Sequence, residues 1–162
     1  NDPVVFMESE QMYGDKGEVP EGEYIIPIGV ADVVREGSDV TLVSFGKIMK
    51  KVIDAADLLA EEGIEADVID LRTVRPIDYD TIISSVKKTN RLVIVEEAWP
   101  LASLSSDIAF NVQRYAFDHM DAPVKRVCTA DVPMAYAPNL VEEFMPKVSK
   151  IVEEVKSVMY VK

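Results

Sequence analysis

The chain has 162 residues, 48% of them hydrophobic, and a formal charge of −12. That is one domain's length with enough apolar content for a core, so neither a disordered tail nor a disulfide-stapled mini-fold is expected. The acidity argues against nucleic acid, whose phosphates need clustered Lys and Arg, and against an anionic membrane surface.

Residues 1–38 carry nine acids against two bases, Lys16 and Arg35, so much of the charge is concentrated in a lead-in. Val4–Met7 is a short apolar run that fits a buried strand. Tyr13–Gly22 holds three glycines and a proline among alternating charges, the composition of a loop. Tyr24–Gly29 and Ala31–Arg35 follow as an extended arm and a short strand, closed by the turn-like Glu36–Asp39. We divide the chain into an acidic connector over 1–38 and a globular domain over 39–162. Asn at position 1 predicts a processed or cut N-terminus.

Regular alternation begins at Val40. VTLVSF (Val40–Phe45) is β-prone, and Lys47–Glu62 is an amphipathic helix with Ile48, Val52, Ala55, Ala56 and Leu59 on one face. Gly63 stands at the C′ position. Ala66–Leu71 is the next strand. Asp78 caps a helix over 79–88, with Ile82, Ile83 and Val86 inward and Lys87 and Lys88 at its C-terminal dipole. Leu92–Val95 is continuously apolar, as a strand covered on both faces should be. A helix over 103–117 turns Leu104, Ile108, Val112 and Tyr115 inward. Val124–Cys128 is a further strand, and Pro146 at N1 opens a last helix bearing Val148, Val152, Val155 and Met159. Strands alternating with helices predict an α/β fold: three layers, α/β/α, around a mostly parallel sheet of about five strands.

Ligands of open α/β sheets bind beyond the carboxyl ends of the strands. Those ends are Ser44–Gly46, Asp70–Arg75, Glu96–Trp99 and Thr129–Pro133. No phosphate-cradling glycine motif is present, and no glycine follows Gly63. One His and one Cys leave little for a metal. Asp118, His119 and Asp121 fit solvated capping, and Cys128 fits an inert place in a strand.

Three places remain. Arg72 and Arg75, with Asp70, suit a carboxylate or phosphate, or they fix a loop or subunit contact, the commoner role at a strand tip. Glu96, after a buried strand, is either a half-buried acid–base group or an anchor for Arg72 or Arg75. Together with Trp99 these residues form the expected strand-tip cluster, read as structural. Asp131–Pro138 is a rigid apolar loop, a packed corner or a partner surface. No catalytic, cofactor or metal residue is assigned.

At these same places the chain resembles a known family. DLRTVRPID (Asp70–Asp78), LVIVEEAW (Leu92–Trp99) and ADVPMAYAPNLVE (Ala130–Glu142) are similar to the C-terminal domain of the transketolase superfamily. More narrowly, they are similar to beta subunits of the thiamine-diphosphate-dependent first component of pyruvate dehydrogenase, although Ala135 stands where a second proline is common. NDPVVFMESEQMYG (Asn1–Gly14) is similar to the segment leaving the family's preceding domain.

The resemblance implies a heterotetramer of two alpha and two beta chains. That enzyme decarboxylates pyruvate with thiamine diphosphate and magnesium, and acetylates the lipoyl group of an acyltransferase. The cofactor and catalytic groups are implied to lie outside these residues, so this piece is expected to bind no cofactor and to be inactive alone. The implied partners are the alpha subunit, a second beta subunit and the peripheral-subunit-binding domain of dihydrolipoyl acyltransferase. Asp121 matches a family acid that pairs with that basic domain, and Lys162 sits at the chain end where a carboxylate contact is implied. Branched-chain and acetoin enzymes, or a free-standing α/β binding module, are the alternatives. The lone cysteine suits bacterial cytoplasm or the mitochondrial matrix.

Overall fold

A computed structural model describes residues 2–161, so Asn1 and Lys162 lie outside the described residues. Five strands form one sheet: β1 (Asp32–Arg35), β2 (Val40–Ser44), β3 (Ala66–Asp70), β4 (Leu92–Val95) and β5 (Lys125–Val127). Their order is β1-β3-β2-β4-β5, with β1 antiparallel to β3 and every other pairing parallel. The helices are α1 (Met49–Glu61), α2 (Tyr79–Thr89), α3 (Leu104–Ala116), α4 (Pro138–Phe144) and α5 (Val148–Met159).

The sheet is a true middle layer. On one face Leu42, Val68, Val93 and Val95 pack with Val52 and Leu59 of α1 and Ile151 and Val155 of α5. On the other, Val43, Ile69, Leu92 and Ile94 pack with Ile82 and Val86 of α2 and Ile108 and Val112 of α3. Alternate residues of one strand thus serve opposite cores, which is why Leu92–Val95 is apolar throughout and fully buried.

Helix ends follow local chemistry. Gly63 has φ +80, its N–H donates to the Ala60 carbonyl, and the Ile64 N–H donates to that of Leu59. This paired closure requires a left-handed residue at C′. Asp78 accepts the Thr81 N–H and so caps α2.

Several details differ from the sequence expectation. Val4–Met7 forms no strand: Val4 is 86% exposed and Phe6 83%. Tyr115 is 54% exposed, because the inward series of α3 runs Leu104, Ile108, Val112, Ala116 at i+4 spacing. Pro146 precedes α5, which starts at Val148, and instead ends α4. Proline excludes the helical region for the residue before it, and Met145 is extended, with ψ 149. Pro138 occupies the first turn of α4. The sheet also starts inside the 1–38 segment, since β1 pairs with β3 from Asp32.

One polar network crosses the apolar interior. Asp67, 1% exposed, lies mid-strand in β3. Its carboxylate accepts the Ser85 hydroxyl, the Gly37 N–H at 3.0 Å and the Lys88 ammonium at 2.8 Å. Ser85 and Thr89 meet the Thr41 hydroxyl at 2.7 Å each. Every member has a partner, so the network pins α2 to β2 and β3 rather than presenting a reactive group.

Candidate functional site

The carboxyl edge of the sheet carries two separate clusters instead of the single one expected from sequence. Strand order is the reason: β2 lies between β3 and β4, so the residues after Asp70 and those after Val95 sit at tips two strands apart.

At the β3 tip, Arg72 has a left-handed backbone, φ 53. Its N–H donates to Asp70 Oδ1 at 3.0 Å, and its guanidinium pairs with Asp32 of β1. Asp32 stands opposite Asp70 in the β1–β3 register, so Arg72 relieves the repulsion of two facing acids. Arg75 is exposed and precedes a cis Pro76. Thr73 and Asp78 turn back on the lead-in: Thr73 Oγ1 accepts the Gly29 N–H at 3.0 Å, and Asp78 Oδ2 accepts the Ala31 N–H at 2.9 Å.

At the β4 and β5 tips, Glu96 is 1% exposed and touches neither Arg72 nor Arg75. Its carboxylate accepts the Ser105 N–H at 3.2 Å and the Ser105 hydroxyl, with the Cys128 thiol donating at 3.6 Å. Ser105 belongs to the first turn of α3. Glu96 therefore holds the orphan amide end of α3 against β4, a placement that the helix dipole favours. Arg126 closes the cluster from outside, donating to the Ser106 hydroxyl at 2.6 Å and the Pro100 carbonyl at 2.9 Å. Burial pushes the Cys128 thiol up from its ordinary pKa, and the Glu96 carboxylate adds to the shift. A raised thiol pKa beside a carboxylate is the opposite of what activates a nucleophile. The half-buried acid–base alternative for Glu96 has no open channel to serve, because the carboxylate is fully covered and committed to α3.

Trp99 lies at the surface, 53% exposed, its indole N–H donating to the Val132 carbonyl at 3.0 Å. That bond joins the Glu96–Trp99 segment to the Asp131–Pro138 loop. The loop is not a packed corner: Val132, Met134 and Tyr136 are 54%, 59% and 101% exposed, and Leu101 nearby in sequence is 82% exposed.

Asp121 follows the short turn after α3. Its side chain is half exposed and lies 3.4 Å from the Arg91 guanidinium, while its N–H donates to the Asn90 carbonyl at 2.9 Å. Lys162 lies outside the described residues. A cavity of about 270 Å³ opens where the lead-in, α1 and α4 meet, floored by Met12, Ile48, Val141 and Met145. Its lysines are engaged: Lys47 with Glu97 at 2.9 Å, Lys50 with Asp15 at 3.6 Å, and Lys51 with the Pro146 carbonyl at 2.7 Å.

Ser105 and Arg126 were not singled out from sequence. A mid-strand acid such as Asp67, or Glu96 directly after an all-apolar strand, was the available signal that a buried partner had to exist. Which residue supplies it depends on helix placement.

Among the described residues there is no group of three His, Cys, Asp or Glu placed to hold a metal. No helix among the described residues is long and apolar enough to cross a membrane.

Comparison with known proteins agrees with this geometry. Residues 29–151 match the family model "Transketolase, C-terminal domain". The chain is 48% identical, over 98% of its length, to the "Pyruvate dehydrogenase E1 component subunit beta, mitochondrial" of Dictyostelium discoideum, and 49% identical, over 99%, to the corresponding subunit of Rickettsia felis. It is 42% identical to the beta subunit of acetoin:2,6-dichlorophenolindophenol oxidoreductase from Cupriavidus necator. It covers 46%, 49% and 47% of these relatives, about half of each. Among solved structures, "Split gene transketolase, inactive beta4 tetramer" superposes with a TM-score of 0.77 at 29% identity, covering 90% of this chain and 47% of that one. The chain belongs to the transketolase C-terminal domain family.

Proposed function

We propose that this chain is the C-terminal part of the beta subunit of a 2-oxo-acid dehydrogenase first component, with pyruvate as the substrate of the whole enzyme. The observation that carries this reading is 48–49% identity along nearly the whole chain to pyruvate dehydrogenase beta subunits of which it spans about half. Within residues 1–38 the part ahead of β1 supplies the connector to the rest of the subunit, and β1 with residues 39–162 forms the assembly and docking domain. The thiamine diphosphate and magnesium chemistry belongs to the other parts of the enzyme, and this piece contributes no catalytic group. The exposed Trp99–Leu101 and Val132–Tyr136 loops serve contacts with the alpha subunit or the second beta subunit.

Asp121 is the proposed anchor for the basic peripheral-subunit-binding domain of the acyltransferase. The half-exposed carboxylate and the net acidity of the chain support that assignment, since charge complementarity steers such encounters.

The test is turnover by the full-length subunit assembled with its alpha partner. Pyruvate oxidation is the expected result. Preference for acetoin selects the second reading, which 42% identity to an acetoin enzyme supports. Preference for branched-chain 2-oxo acids, or no turnover of any of the three, overturns the assignment. For docking, Asp121→Asn should weaken capture of the acyltransferase domain at physiological salt, and an unchanged affinity would refute the role of Asp121.

A further inference from the structure

Residues 13–28 of the lead-in are exposed along their whole length. Within the next four residues the chain is gripped three times, each time by the loop between β3 and α2. The Gly29 N–H donates to Thr73 Oγ1 at 3.0 Å, the Ala31 N–H donates to Asp78 Oδ2 at 2.9 Å, and Asp32 pairs with Arg72. Gly29 also lies flat beneath Pro76. Its φ is +82, and a Cβ there would come within 2.8 Å of Pro76 Cγ. No residue with a side chain could pass through this gap in this conformation.

We infer that Arg72–Asp78 is a clamp that sets the direction in which the lead-in reaches the sheet, with Asp78 the positioning residue that couples the lead-in to α2. One carboxylate does both jobs. Asp78 Oδ1 accepts the Thr81 N–H at 3.1 Å, as an N-cap does, while Oδ2 is shared between the Thr81 hydroxyl at 2.8 Å and Ala31. A displacement of the lead-in strips an acceptor bond from the start of α2, and a shift of α2 pulls on Ala31. Backbone donors held by side chains outside the sheet ladder are specific in a way that edge pairing is not. β1 can slide along β3 only by giving up all three grips. The clamp stands on geometry alone; only its consequence, the orientation of the rest of the subunit, rests on the proposed function.

The test is amide exchange on the full-length chain in its native assembly, a readout independent of substrate. Asp78→Ser keeps a helix cap but is too short to reach Ala31 as well. Exchange at Gly29 and Ala31 should rise about tenfold while the α2 amides from Ile82 to Val86 stay within about threefold of the parent. Unchanged exchange at Ala31 overturns the clamp, and so does loss of α2 protection to the same degree, which would leave Asp78 only a cap. Thr73→Val leaves the α2 cap untouched and covers the case in which Asp78→Ser does not fold. It should free Gly29, and Thr73→Ser should restore its protection. A Thr73→Val chain with Gly29 still protected refutes the inference.

Discussion

Replacing Glu96 by alanine tests the account of the β4–β5 tip most directly. The substitution removes the acceptor of the Ser105 N–H, of the Ser105 hydroxyl and of the Cys128 thiol, all at a side chain 1% exposed. Loss of the acceptor at the start of α3 should cost about 1 kcal/mol, as loss of a helix cap does. The Ser105 hydroxyl loses its carboxylate acceptor but keeps Ser103 Oγ at 2.9 Å, so this loss adds about 0.5–1.5 kcal/mol. The void left by a buried Glu side chain brings the whole effect to roughly 3–5 kcal/mol. For a chain of this length that corresponds to a fall in Tm of roughly 6–20 °C. Glu96→Gln keeps the shape and one acceptor for the Ser105 N–H, and the hydroxyl can turn to accept from the new amide, so its cost should be about 1–2 kcal/mol. Urea unfolding followed by far-UV circular dichroism measures both. A Glu96→Ala chain within about 0.5 kcal/mol of the parent would refute the reasoning. So would a Gln variant as unstable as the Ala one, since the hydrogen bonds would then not be what Glu96 contributes.

Four further expectations follow from the same structure. Gly37→Ala places a Cβ 2.2 Å from the Ala66 carbonyl carbon, where only backbone could yield, so it should destabilise by about 3 kcal/mol or more. Gly14→Ala meets nothing within 4 Å and should stay within about 0.5 kcal/mol in the same urea titration. Burial pushes the Asp78 carboxyl up, but the Ala31 and Thr81 hydrogen bonds outweigh it and hold the group below its ordinary pKa. A depressed carboxyl contributes stability that is present above its unfolded pKa, about 4, and lost as pH falls through the lower folded value. Asp78→Asn should therefore lose less stability than the parent between pH 4 and 2, on an approximate scale set by that one group, and parallel acid limbs would count against the assignment. Cys128, with its thiol pushed up by burial, should react with iodoacetamide at pH 8 more slowly than an unfolded-state control, and an equal rate would show the thiol to be open.

Much of the architecture is legible in the amino-acid sequence. The 2-residue and 3.6-residue periodicities located the four parallel strands and the helices now called α1, α2, α3 and α5, because each buries a face whose pattern is local. Asp78 and Gly63 were recognisable as caps for the same reason: their partners lie within a few residues. The residues that the sequence places at the carboxyl edge lie there, and the three motifs that carry the family resemblance lie on that edge or beside it.

Other features depend on contacts distant in sequence. Glu96 was expected to meet an arginine across adjacent tips, but β2 stands between β3 and β4 and hands Glu96 to Ser105 instead. Tyr115 and Pro146 were misplaced because one step around a helix, or one residue of chain path, is decided by packing and by the residue preceding a proline. Asp32–Arg35 is legible as a short strand, but its antiparallel place beside β3, more than thirty residues on, is not. Sequence alone determined the α/β class, the caps, the charge and the absence of a phosphate-cradling glycine motif, since these depend on neighbours along the chain. Strand order, the separation of the two tip clusters, and the double duty of Asp78 were decided by tertiary structure, because each depends on which distant segments the two cores bring side by side.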